Sequence, residues 1–537
     1  MHDCRHEYIT PFCRRAVAAL LTAALLLAAC SRGALVRHDA NTLVIGVLEE
    51  PDRLDPLLAN LFEDNNVFAL VFNGLVKFDR RGAIVPDLAT AVPTRANGGI
   101  SVDGKTLTYH LRRGIRWQDG APFTSADVLF TWRALVDPRN IVPAHGPYDH
   151  IVAIETPDMW TVRVRLRAPF APALTLFAGD KQGAIVPAHL LEGVRDLGRS
   201  NFETAPIGTG PYRVTAWHRG DSIELERSPF ASPRPAFARI RIALFSNEQA
   251  LVNAVRTGEV DVALDLTESS AALLSNDLRV RVRSTPTYQF EHLTFNLRQG
   301  SGPQTDALVR RAFSEAIDVK GYARVVFRGR AGLAPLDQAP WSWALDSNVR
   351  FLPYDPVRAR HELLRAGYHL PIALTIVSTA GNDARSRLEV LMQSHAARAG
   401  IALAIKNLPA NLMLARAEDG GILSGGRFEI ALFTFAATSP DPDDERYLAS
   451  SAIPPNGINM GAYNDPAVDR LERQAVSTYD LRTRATLYAK IQRTLIEGLP
   501  LYTLAWTPST VVSRRGITGV EPVPVGSALA GIAAVRE

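Results

Sequence analysis

"APIGTGPYRVTAWHRGDSIEL" occupies residues 205–225, and the reading of its glycines decides which fold the chain can have. A phosphate cradle would need successive backbone N–H groups aimed at the anion and a helix N-terminus directly behind them. Pro211 removes one of those donors, and the third glycine and the lysine of a P-loop are both missing. From Tyr212 onward the residues alternate, with Tyr212, Val214 and Ala216 on one face and Arg213 and Thr215 on the other, the period of a strand. The loop therefore reads as a tight turn feeding a β-strand, with Gly208 and Gly210 selected for a left-handed φ or for close backbone approach.

Working outward, the chain alternates strand-like and helix-like runs. "NTLVIGVL" (41–48) reads as a buried strand, and "LTYHLR" (107–112) and "WTVRVRLR" (160–167) read as half-buried strands of a mixed sheet. "TSADVLFTWRAL" (124–135) is a helix capped by Thr124 or Ser125. In the second half Asp355-Pro356 and Asp465-Pro466 each place a capping carboxylate before a proline at the first helical position, and Gly367 and Gly498 are expected to stop their helices. The strands "IALTIVS" and "FEIALFTF" alternate with these helices, which makes the region α/β.

A chain of 537 residues with a formal net charge of +4 and no run of Lys and Arg carries no nucleic-acid footprint. Arg14 and Arg15 precede "AVAALLTAALLLAA", an apolar stretch too short to span a membrane comfortably, so residues 1–29 read as a secretory signal peptide. Its end, "LAAC", resembles the lipobox of bacterial lipoproteins and makes Cys30 the expected acylated residue, followed by a lipidated tether over 30–41. Cys4 and Cys13 fall in the discarded segment, so an internal disulfide is excluded in the processed chain and its stability must come from burial.

Local catalytic chemistry is missing: no H-E-x-x-H, G-x-S-x-G or C-x-x-C occurs. "HGPYDH" (145–150) is a weak metal-ligand pattern in a proline-glycine loop. "SPDPDDER" (439–446) lacks the glycine and terminal glutamate of a calcium loop and reads as a polar turn that starts a helix.

Eight motifs then appear in order: "RLDPL" (53–57), "GLVKFDRRGAIVPDLA" (74–89), "SVDGKTLTYHLRRGIRWQDGAPFTSADVLFTW" (101–132), "IGTGPY" (207–212), "GEVDVAL" (258–264), "VRRAFSEAID" (309–318), "YDPVRARHELLRAGY" (354–368) and "YNDPAVDRLERQA" (463–475). Together they resemble the extracellular solute-binding proteins of family five, the peptide, oligopeptide and nickel-type lipoproteins of ABC importers.

That resemblance implies an α/β, two-lobed periplasmic-binding-protein-like fold of type II, the large peptide-binding class, with mixed sheets. The first lobe would hold 42–289 plus 509–537, with an inserted subdomain over about 81–204, and the second lobe 290–508. A two-crossing hinge would pass near "YQFEHLTFN" and "LYTLAWTPS" and restrict motion to bending.

The resemblance also implies a monomeric, non-enzymatic periplasmic receptor without cofactor or metal, held to a membrane by lipid. It would pass a peptide or peptide-like solute to permease and ATPase subunits. Candidate ligand-binding residues are Glu50 after the first strand, Tyr288 and Phe290 at the hinge, Arg385 and Arg387 at a helix N-terminus, Thr438, and Asp441. Thr438 stands where peptide-binding members carry the carboxylate that meets the ligand amine. Asp441 is available as a substitute for it, but its place before Pro442 reads first as a structural turn or helix cap. The two arginines serve equally as a solvated helix face, and the two hinge aromatics equally as core. Two other readings keep the same fold or cleft: a ligand sensor that signals to a membrane partner, and a periplasmic hydrolase using Asp441 to Glu445.

Overall fold

The computed structural model describes residues 39, 41–59, 64–140, 142, 146–179, 183–436, 439–442 and 444–534. Cys30, His145 and Thr438 lie outside the described residues. In chain order the first strands are β1 (Thr42–Val47), β2 (Val76–Phe78), β3 (Ile84–Pro86), β4 (Thr106–His110), β5 (Ile151–Asp158), β6 (Thr161–Leu166), β7 (Tyr212–His218) and β8 (Ser222–Arg227). They are followed by β9 (Arg239–Leu244), β10 (Val262–Ala263), β11 (Val280–Phe295), β12 (Ile372–Thr379), β13 (Ile401–Leu408), β14 (Ile430–Ala436) and β15 (Leu501–Arg514).

Ten of these strands make one sheet in the order β13-β12-β14-β11-β15-β10-β1-β9-β8-β7. At one end β1 is parallel to β9 and β10; at the other, β12 is parallel to β13 and β14. The long antiparallel strands β11 and β15 join the two ends. One apolar core gathers Leu43, Ile45, Phe68, Trp117, Val164, Ile240 and Val511, and another gathers Leu293, Phe313, Ile376, Leu388, Leu432 and Leu504. Each core lies on its own side of the middle of β11 and β15, so the chain has two lobes.

The strands "LTYHLR" and "WTVRVRLR" leave the main sheet. β4, β6 and β5 form a separate three-stranded sheet that is antiparallel throughout, not part of a mixed one. The two-residue gap between β5 and β6 permits only a hairpin, and Val162, Val164 and Leu166 face its core while Arg163 and Arg165 face out. The intervening helix Ser125–Val136 starts at Thr124 with a full capping box: Asp127 accepts the Thr124 N–H at 2.8 Å.

Asp355 and Asp465 cap their helices by accepting the N–H groups of Arg358 and Ala467, both at 2.8 Å. Gly367 follows its helix with φ +87°. Gly498 does not stop its helix. The helix Leu481–Gly498 runs through it, and the left-handed residue is Leu499, φ 47°. A non-glycine residue pays about 1–2 kcal/mol for that conformation. Leu499 is wholly buried in the second core, and about 1.5–3 kcal/mol from burying its side chain offsets the cost.

The opening loop also resolves. Gly208 and Gly210 are absent from the positive-φ positions, so close approach is the reason for both. A Cβ on Gly208 would stand 1.8 Å from the carbonyl oxygen of Val71, and one on Gly210 would stand 2.6 Å from it. The Gln118 side chain locks the loop, accepting the Gly208 N–H at 2.9 Å and donating to the Tyr212 carbonyl at 2.7 Å. β7 follows as an edge strand, but a bulge between Val214 and Ala216 breaks the expected alternation and turns Trp217 toward the first lobe's core.

Candidate functional site

The strand directions locate the cleft. β15 runs from the second lobe to the first, so β10 and β1, antiparallel to it, direct their C-terminal ends back toward the second lobe. β14 is antiparallel to β11, so β14 and the parallel β12 end facing the first lobe. Ligands of α/β sheets bind beyond strand C-termini. Here two such sets of ends face each other across the middle of β11 and β15.

The floor of that gap is aromatic. Pairing between β11 and β15 is interrupted from Pro286 to Phe290, and the Tyr288 N–H turns to the Pro524 carbonyl instead, at 3.0 Å. Tyr288 sits edge-on to Trp341 at 5.8 Å, and Phe290 lies 4.5 Å from Trp506 and 5.9 Å from Phe435. Tyr288 keeps 8% of its surface exposed and Phe290 only 1%, so Phe290 supports the wall from behind. His292 stacks on Phe435 at 4.6 Å; burial holds its imidazole neutral, with a pKa lowered to about 3.

Two contacts bring the lobes together around the gap. The β2–β3 turn places Gly82, φ +79°, where a Cβ would lie 3.4 Å from Pro440 and 3.9 Å from Tyr288. The second contact is a rim contact, in which Tyr479 of the second lobe donates to the carbonyls of Gly104 and Phe170 at 3.1 and 3.3 Å.

Most candidate residues have protein partners. Glu50 accepts the Trp217 indole N–H at 2.9 Å and the Gly220 N–H at 3.2 Å, which ties the loop after β1 to the β7–β8 turn. Arg385 lies at the start of the helix Asp383–Arg398, which Asn382 caps by accepting the Arg385 N–H at 2.9 Å. Its guanidinium is buried and forks onto Glu291 of β11, at 2.8 and 3.1 Å, with Thr434 and Thr379 as further partners. Arg387, two residues on, is exposed, and among the described residues no carboxylate pairs with it.

Asp441 receives both terminal nitrogens of the buried Arg484, at 2.9 and 2.5 Å, while its own N–H donates to Ser439 at 3.0 Å. That is the geometry of a turn residue with a committed charge. Thr438 lies between Ala436, the end of β14, and Ser439, outside the described residues.

Several residues of the region went unnoticed in the sequence. Asp265 follows β10 with φ 54°, is exposed, and accepts the Ser509 hydroxyl at 2.9 Å. Its only sequence signal is an acid directly after "GEVDVAL". Asp337, buried beside Tyr447 and Asp444, is raised to about 6 by desolvation, opposed by hydrogen bonds that include both of them. Gln338 donates to Asp444 at 2.8 Å and Tyr447 to its other oxygen at 2.8 Å. No group of three His, Cys, Asp or Glu among the described residues is placed to hold a metal ion.

A family model described as bacterial extracellular solute-binding proteins, family 5 Middle, matches residues 83–454. The glutathione-binding protein GsiB of Escherichia coli K12 is 26% identical over 514 residues, 95% of this chain and 96% of that protein. Among solved structures, NikZ of Campylobacter jejuni in complex with Ni(L-His) aligns with a TM-score of 0.80 at 25% identity, over 93% of this chain and 100% of NikZ. DppA of Helicobacter pylori in complex with the peptide STSA aligns at 0.76 and 25% identity, over 92% and 98%. These likenesses span both lobes and share the type II binding-protein fold. With facing strand ends, an aromatic hinge and a family match across most of its length, the chain belongs to the bacterial extracellular solute-binding proteins of family 5.

Proposed function

We propose that the chain is the receptor of an ABC importer, capturing a peptide or peptide-like solute between its lobes and handing it unchanged to permease and ATPase subunits. The observation that carries this reading is the meeting of two sets of strand C-termini across a gap that two long strands bridge. A hinge of that kind bends, and bending buries a ligand without chemistry. The peptide class is supported by the similarity to DppA bound to a peptide and to a glutathione-binding protein. In this reading residues 1–29 are removed, Cys30 carries the lipid, and a monomer works in the periplasm.

Recognition of the solute's ends follows from which charges are committed. Arg385 is neutralised by Glu291, and the exposed Arg387 is the one of the two arginines without a carboxylate partner among the described residues. Asp441 is neutralised by Arg484, and position 438 is a threonine, so neither of the two positions expected to meet an α-amine offers an uncommitted carboxylate. The solute therefore need not carry a free α-amine. Calorimetric titration with a dipeptide and its N-acetylated form tests this: the two are expected to bind within about tenfold, since a charged hydrogen bond is worth about 1.5–3 kcal/mol and none is lost. Abolition of binding by acetylation would contradict it.

A further inference from the structure

We propose that Arg330 is a strap across the bending point of the hinge, an interlobe ion pair that holds the lobes in their closed arrangement before any solute arrives. Bending concentrates where the β11–β15 ladder is broken, between the Pro286–Pro508 and Phe290–Trp506 pairs. Arg330 is anchored on the second-lobe side of that break. After the helix Val319–Val326, Arg328 and Gly329 take left-handed φ of 51° and 74°, and the Arg330 N–H donates to the Phe327 carbonyl at 2.9 Å. Two residues on, Gly332 exchanges both backbone hydrogen bonds with Trp506 of β15 at 2.9 Å, and Ala331 and Leu333 pack on the second core.

The guanidinium reaches the other side of the break. Its Nη1 stands 2.8 Å from Glu268 Oε2 and donates to the Ser284 hydroxyl at 3.1 Å. Ser284 of β11 and Thr510 of β15 are paired on the first-lobe side, and both hydroxyls donate to Glu268 Oε1, at 3.0 and 2.7 Å. Glu268 starts the short helix Glu268–Ala272 after β10 and is buried, and its neighbours Leu266 and Ala271 sit in a first-lobe core with Val44 and Val512. Its Oε2 accepts no hydrogen bond, so the charge of Arg330 is what compensates that buried oxygen.

A side chain that spans the bend in this way selects one hinge angle. Its contacts already stand at 2.8 and 3.1 Å, so bending one way breaks them and bending the other way drives the groups into overlap. The angle selected is the one at which Gly82 meets Pro440 and Tyr479 reaches Gly104 and Phe170, the lobes being closed. The Arg330 side chain is 44% exposed, so dissolved salt reaches the pair and weakens it. With the strap intact the unliganded chain holds a larger closed fraction, and a solute has less of the closure left to drive. The effect is on the lobes and does not depend on which solute fills the gap.

Small-angle X-ray scattering of the unliganded full chain tests the strap. At low salt Arg330→Gln and Glu268→Gln should each give a larger radius of gyration than the wild type, while Arg330→Lys, which keeps the charge, should stay near it. Raising NaCl to about 1 M should expand the wild type toward the two glutamine variants and leave those variants unchanged. Glu268→Gln keeps an acceptor for the two hydroxyls, and melting temperatures measured alongside separate opening from unfolding. The salt series on the wild type carries the test if a variant does not fold. Where the wild type binds a dipeptide, Arg330→Gln should weaken that binding about threefold. A radius of gyration indifferent to both glutamine variants, a wild type equally compact in high salt, or a dipeptide affinity that Arg330→Gln leaves unchanged overturns the proposal. A chain that binds no dipeptide counts against the receptor reading alone, and the scattering still decides the strap.

Discussion

Asp55 of the "RLDPL" motif is wholly buried; its Oδ1 accepts the Leu57 N–H at 2.9 Å and its Oδ2 has no partner. Burial raises its pKa to about 7, against the lowering effect of the Leu57 hydrogen bond. An unfolded carboxyl titrates near about 3.9. The protonated form is thus favoured by folding, and its stabilisation is complete below about pH 4 and lost as the pH rises through about 7. Asp55→Asn should remove that slope: relative to the wild type it should gain roughly 2–4 kcal/mol between pH 4 and pH 8, read from urea unfolding at the two values. The other charged residues of the site show why sequence reading stops at this scale. Arg385 finds Glu291 94 positions away, and Arg484 finds Asp441 43 positions away. Arg385 and Asp441 were legible as charged groups near a cleft. Their partners were not, because the pairing depends on which strand lies beside which helix.

Elements were more readable than residues, for local reasons. The caps at Thr124, Asp355 and Asp465 obey side-chain chemistry confined to one turn, and the alternation of β6 reports one buried face. Gly498 misled because burial of Leu499 outweighs its backbone preference, a tertiary effect that no local pattern carries. The mixed-sheet reading of β4 and β6 failed similarly, since the alternation fixes a face and says nothing of the partner strand. In the "GTGPY" turn the glycines were legible but their reason was not: it is the Val71 carbonyl, brought in by a distant helix. Gly208→Ala should therefore destabilise the chain by about 1–3 kcal/mol or more, because the clash is with backbone and cannot be relieved by a rotamer. A lowered urea midpoint with an unchanged slope is the expected signature.

At the scale of the molecule, two lobes share one sheet and meet again at a rim where Tyr479 bonds to Gly104 and Phe170. A rim contact of this kind favours the closed arrangement without touching the solute. Tyr479→Phe should weaken solute binding about fivefold through faster dissociation, the equivalent of about 1 kcal/mol of hydrogen bonding, with the melting temperature of the unliganded chain unchanged. The ordered motifs made the family legible in the sequence, because spacing along the chain survives where pocket residues vary. The solute was not legible, since the cleft is assembled from strand ends hundreds of positions apart. Native mass spectrometry of the purified protein tests the central claim most directly: it should show one peptide-like solute per chain, its mass unchanged after prolonged incubation. A solute consumed or chemically altered, or a chain that binds no peptide-like solute, would contradict it.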